Sequence, residues 1–125
     1  MANILVADDD PEIRWVIRKC LEKERHNIVE AVDGVEAIEK IGETDFDIAI
    51  IDIIMPKKEG IRTILEMKQQ KPNIKVIAIS GGGFVKPESY LATAEAFGAE
   101  CILTKPFNTT ELLGTVGLLL EKTGK

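Results

Sequence analysis

Ile4-Leu5-Val6-Ala7-Asp8-Asp9-Asp10-Pro11 is the stretch on which the fold turns. Four apolar residues in succession, with no polar face, describe a strand covered on both sides. Three acids follow at once. Asp10-Pro11 then supplies an N-cap residue and a first-turn proline for a helix. Downstream, Ile13, Val16, Ile17, Cys20 and Leu21 recur at i, i+3, i+4, i+7 and i+8, the stripe by which a helix packs on a core.

The same alternation continues outward along the chain. Runs rich in Ile and Val occupy residues 4–7, 28–31, 48–51, 74–79 and 101–103. Helical segments separate them. Asp33 caps one that carries Val35, Ala37, Ile38 and Ile41. The next, 59–70, carries Ile61, Ile64, Leu65 and Met67, with Pro72 as a stop beyond it. Another is expected over about 87–97, ending at Gly98. The last begins at Asn108 or Thr109 and carries Leu112, Leu113, Val116, Leu119 and Leu120. The order βαβαβαβαβα with right-handed crossovers predicts an α/β fold, a doubly wound parallel sheet.

The 125 residues suffice for one domain, and 45% apolar content fills one core. Sixteen basic against 21 acidic residues give a net charge of −5, which argues against direct nucleic-acid binding. No apolar run approaches the roughly 20 residues of a membrane span. Met1 leads straight into the first strand, with no secretory leader pattern, so a cytoplasmic protein is expected. Cys20 and Cys101 are far apart and read as two core thiols. A lone His26 disfavours histidine-based metal or acid–base sites. Trp15 lies off the first helix's stripe. It is read as lying flat on a neighbouring helix, with a partner-docking contact as the alternative.

Doubly wound sheets place their ligands at the carboxyl ends of the strands. Asp8, Asp9 and Asp10 follow the first strand; Asp52, Met55-Pro56 and Gly60 follow the third; Ser80 and Gly81 to Gly83 follow the fourth; Lys105-Pro106 follows the fifth. Carboxylates, a hydroxyl and a lysine are thereby expected on one sheet edge. Oxygen-only ligands suit Mg²⁺, and a carboxylate beside it can accept a phosphoryl group. The triple glycine lacks the GxxxxGK[ST] frame of a phosphate loop, and no GxGxxG follows the first strand to mark a dinucleotide site.

These residues resemble a family. Asp8-Asp9, Asp52 with Met55-Pro56 and Gly60, Ser80, and Lys105-Pro106-Phe107, in that order, are similar to the receiver domain of bacterial two-component response regulators. The resemblance runs from Ile4 to about Leu120. It implies a five-stranded flavodoxin-like (βα)5 sheet of order 2-1-3-4-5, and a stand-alone receiver over 1–125 with no output domain. It also implies Asp52 as phosphoacceptor, and Mg²⁺ held by Asp8, Asp9, Asp52 and the Ile54 carbonyl. Lys105 would pair with the phosphoryl oxygens, Ser80 would hydrogen-bond them and move inward, and the Lys105–Pro106 bond would be cis. The implied partners are a histidine kinase or histidine phosphotransfer protein and a downstream protein. The chain would be no enzyme beyond catalysing its own phosphorylation and dephosphorylation.

Two departures from the family stand out. Ile102 takes the place of the family's frequent switch aromatic, and the glycine-rich stretch 81–86 is long. The output is therefore expected to rest on that loop and the helix after it. Two alternatives are a phosphate-independent interaction module of the same fold and a Mg²⁺-dependent phosphatase. Phosphatases of the haloacid-dehalogenase style carry a second acid two residues after the nucleophile, where this chain has Ile54.

Overall fold

The computed structural model describes residues 2–53, 57–81 and 98–124. Its elements are β1 (Asn3–Ala7), α1 (Pro11–Lys23), β2 (Asn27–Ala31), α2 (Gly34–Glu43), β3 (Ile48–Asp52), α3 (Lys57–Gln70), β4 (Lys75–Gly81), β5 (Cys101–Lys105) and α4 (Thr109–Gly124). The five strands are all parallel and ordered β2-β1-β3-β4-β5, as the resemblance implied. Met55, Pro56, the Ile54 carbonyl, the loop beyond Gly81 and the helix expected over 87–97 fall outside the described residues.

Two cores cover the two sheet faces, and strand alternation sorts residues between them. On one face Leu5, Ala7, Ala49, Ile51, Val76 and Ala78 meet Ala37 and Ile41 of α2 and Ile64 and Met67 of α3. On the other, Ile4, Val6, Ile48, Ile50, Ile77, Ile79 and Leu103 meet Ile17 and Leu21 of α1 and Leu112, Val116 and Leu119 of α4. Both faces are buried, so the central strands β1 and β3 carry no polar alternation before their carboxyl ends, whereas the edge strand β2 carries Glu30.

The helix starts follow local chemistry. The Asp10 carboxylate accepts the Glu12 N–H at 2.9 Å. Asp33 and Glu36 form a reciprocal cap: Asp33 accepts from Glu36 N–H at 2.9 Å, and Glu36 accepts from Val32 N–H at 2.8 Å. Asn108 and Glu111 repeat the device at α4, at 2.8 and 3.1 Å, which makes Asn108 the cap and Thr109 the first helical residue.

The structure corrects several readings of the sequence. Helix α3 starts at Lys57, two residues before the expected Glu59. Val35 and Leu65, read as core, are 63% and 40% exposed, and Trp15 is 59% exposed rather than flat on a neighbouring helix. One geometric cause covers all three. Each stands two positions before a buried residue (Ala37, Met67, Ile17), and two helical steps turn a side chain roughly 160° away. Val16, beside Ile17, sits at the edge of its stripe and is 45% exposed. Lys19 Nζ stands 5.8 Å from the centroid of the Trp15 ring.

Candidate functional site

The strands extend further than their apolar runs. Asp52 pairs with Ile79, Ser80 with Thr104 and Gly81 with Lys105, so these residues close the ladders instead of following them in loops. The reason is that parallel pairing needs only backbone groups, and polar side chains are tolerated where the sheet meets solvent. Asp8, Asp52 and Lys105 continue the alternating rows of Ile4 and Val6, Ile48 and Ile50, and Cys101 and Leu103. The neighbouring strands β1 and β3, with β5 one strand further on, thereby deliver two carboxylates and an amine to one edge on one side. Ser80, 1% exposed, continues the opposite row of Val76 and Ala78 and lies one residue beyond the rung opposite Asp52.

The acidic cluster is tight. Carboxylate oxygens of Asp8, Asp9 and Asp52 all lie within 4.8 Å of one another. Asp8 is fully buried and Asp52 is 4% exposed, whereas Asp9 faces solvent. Lys105 Nζ stands 3.1 Å from Asp52 Oδ2 and 3.5 Å from Asp8 Oδ2. Asp8 Oδ1 accepts the Asp10 N–H at 2.9 Å, while its Oδ2 accepts no hydrogen bond among the described residues. Burial raises the Asp8 pKa to about 6; the Asp10 N–H and Lys105 oppose that rise, and the Asp52 charge adds to it. Burial works against the Lys105 charge, but the Asp52 and Asp8 carboxylates outweigh it and raise the lysine's pKa.

The neighbouring backbone is shaped for this edge. A Cβ on Gly60 would lie 2.5 Å from Ile53 Cα and 2.7 Å from the Asp52 carbonyl oxygen. Only glycine lets α3 begin so close to the end of β3. The Lys105–Pro106 bond is cis, as expected.

A donor set of three carboxylates fits a hard divalent cation better than a soft one. The buried, unsatisfied Asp8 Oδ2 is the kind of atom such an ion satisfies. Reading the sequence had missed Arg14, whose guanidinium donates to the Asp8 carbonyl at 2.6 Å and to Glu30 Oε1 at 2.9 Å. The signal was available in Glu30, an isolated acid inside the otherwise apolar run 28–31.

Comparison with known proteins agrees with this geometry. The chain matches the response regulator receiver domain family over residues 4–117. It is 30% identical over 122 residues to the transcriptional regulatory protein CpxR of Escherichia coli (strain K12), covering 98% of this chain and 50% of that one. Among solved structures, the Francisella response regulator 1452 receiver domain superposes with a TM-score of 0.86 at 32% identity, covering 98% of this chain and 99% of that one. A CheY-like receiver domain protein from Methanospirillum hungatei JF-1 gives a TM-score of 0.88 at 27% identity, covering 98% and 95%. The chain belongs to the response regulator receiver domain family. It spans about half the length of the curated relatives it matches.

Proposed function

We propose that this receiver domain is a phosphorylation switch in which Asp52 accepts a phosphoryl group from a phosphohistidine on a histidine kinase or a histidine phosphotransfer protein. The observation that carries the reading is the meeting of the Asp8, Asp9 and Asp52 carboxylates within 4.8 Å, with Lys105 at 3.1 Å from Asp52. An Asp52 oxygen attacks phosphorus, an O–P bond forms, and the donor's N–P bond breaks with its electron pair returning to the imidazole. Asp8, Asp9, Asp52 and the Ile54 carbonyl would hold Mg²⁺, which supplies charge neutralisation for the incoming phosphoryl oxygens. Lys105 keeps its proton beside Asp52 and offers N–H groups to those oxygens. Ser80, already buried at the end of β4, offers its hydroxyl.

In this reading the chain catalyses only its own phosphorylation and dephosphorylation, and works by changing what it binds. A phosphate-independent module would leave unexplained why charged groups are gathered at a cost in desolvation. A cytoplasmic site of action fits Cys20 and Cys101, which form no disulfide with each other. Among the described residues no helix is long and apolar enough to cross a membrane. The test is intact-mass analysis after incubation with acetyl phosphate. One phosphoryl adduct is expected in Mg²⁺ and none in chelator; an unmodified protein in Mg²⁺ contradicts the reading.

A further inference from the structure

We infer that Arg14 is a positioning residue for the acidic pair, fixing the Asp8–Asp9 peptide so that both carboxylates face Asp52. This rests on the metal-site reading above.

At the end of β1 the ladder stops. The Asp8 N–H still donates to the Ala31 carbonyl at 3.2 Å, but β2 also ends there. The Asp8 carbonyl has run out of strand, and Arg14 Nη1 takes the partner's place at 2.6 Å. The arginine is itself held: its side chain is 13% exposed, and its Nε donates to Glu30 Oε1 at 2.9 Å. Glu30 is braced in turn by Arg18, whose Nη1 donates to Glu30 Oε2 at 2.5 Å. The carbonyl belongs to the peptide that leads into Asp9. On the far side of Asp9, the Asp10 N–H is fixed by Asp8 Oδ1. Both peptides flanking Asp9 are thus pinned, one by Arg14 and one by Asp8 itself. Asp9 is exposed, so its flanking peptides rather than burial orient its carboxylate.

The sign of the effect separates positioning from charge. Removing a cation near three carboxylates should by Coulomb's law tighten the binding of another cation. Losing a positioning contact should weaken it. Arg18 is the internal control: it shares Glu30 with Arg14 but does not donate to the Asp8 carbonyl.

The experiment measures Mg²⁺ affinity by calorimetry, and amide exchange at Asp9 and Asp10 in chelator, for the wild type, Arg14→Gln, Arg14→Lys and Arg18→Gln. Circular dichroism and thermal melts establish that each variant is folded. Arg14→Gln should weaken Mg²⁺ about 5- to 20-fold and speed exchange at Asp10 about 10-fold, as expected for losing a charge-assisted hydrogen bond. Arg14→Lys, which keeps a donor, should recover part of both, and Arg18→Gln should change neither by more than about twofold. Unchanged or tighter Mg²⁺ binding in Arg14→Gln overturns the inference, as does an equal loss in Arg18→Gln. If the wild type binds no Mg²⁺, the metal-site reading fails. Amide exchange at Asp10 then decides the Arg14 contact by itself, and unchanged exchange overturns it.

Discussion

Lys105 Nζ lies 3.1 Å from Asp52 Oδ2, on β5, two strands away from the aspartate's own. β4 separates them, and each of the two residues is the last of its strand. The pair joins the central strand to an edge strand and places a cation where phosphoryl charge would arrive. Replacing Lys105 with Met keeps the stem and removes the charge. The rate of phosphoryl acceptance from acetyl phosphate should fall about 100-fold, the order seen when one preorganised donor is lost. Stopped-flow fluorescence of Trp15 or timed intact-mass sampling measures it. A rate within twofold of wild type would remove Lys105 from the chemistry.

Asp8 is the group at which burial and charge conflict. Its folded pKa, about 6, exceeds the ordinary aspartate value of 3.8, so the folded protein holds this proton more tightly than the unfolded chain does. The contribution of Asp8 is therefore destabilising above pH 6, and stability is regained as pH falls through the interval from about 6 to 3.8. Asp8→Asn keeps an acceptor for the Asp10 N–H and removes the charge. In chelator at pH 7.5 (a value chosen to lie above that interval) it should raise stability by roughly 1–2 kcal/mol. The gain should shrink on acidification toward pH 5, as wild-type Asp8 takes up its proton. Urea melts of both proteins across pH check the sign, and a gain that grows in acid contradicts it.

Gly60 answers to backbone geometry alone. An added methyl meets Ile53 Cα at 2.5 Å and the Asp52 carbonyl at 2.7 Å, neither of which is a flexible side chain. Gly60→Ala should cost about 1–3 kcal/mol, in the range of overpacked sites. It should also slow phosphoryl acceptance, because α3 can recede only by moving the end of β3. Chemical denaturation together with the labelling rate tests both. A variant as stable as wild type would mean that α3 yields without strain.

The output is expected in the segment after β4. Ile102 is partly buried against the α2/α3 core and pairs with Ala78, so it has a fixed apolar seat and no polar group to exchange with solvent. Ser80 leads directly into Gly81–Gly83, where ordering a glycine-rich backbone changes entropy most. Hydrogen exchange with and without a beryllofluoride analogue should change most over residues 81–92. A response confined to β5 around Ile102 would place the output elsewhere.

Much of this was legible in the sequence because both sheet faces are covered. Runs such as Ile48-Ala49-Ile50-Ile51 admit few readings, and the polar residues that end them stand out as a site. The cis Lys105–Pro106 bond came from the resemblance, since spacing alone says nothing of it. Val35, Leu65 and Trp15 were less legible because apolarity marks a helix without marking its inward side; rotation about the axis decides that. Arg14 was invisible for another reason. Its partner is a backbone carbonyl, which leaves no trace in residue type, and only the stray charge of Glu30 inside β2 hinted at it. Strand ends were misjudged at Asp52, Ser80 and Lys105 because hydrophobicity stops where the solvent begins, while backbone pairing continues.

The central claim is that Asp52, and no other carboxylate, carries the phosphoryl group and needs a divalent cation to do so. Borohydride reduces an aspartyl phosphate to homoserine, so peptide mapping after reduction locates the acceptor directly. Incubation with acetyl phosphate in Mg²⁺ should give homoserine at position 52. Chelator should abolish it, and Asp52→Asn should show none at any position. Homoserine at Asp8 or Asp9 in the wild type, or equal conversion at Asp52 in chelator, would contradict the account.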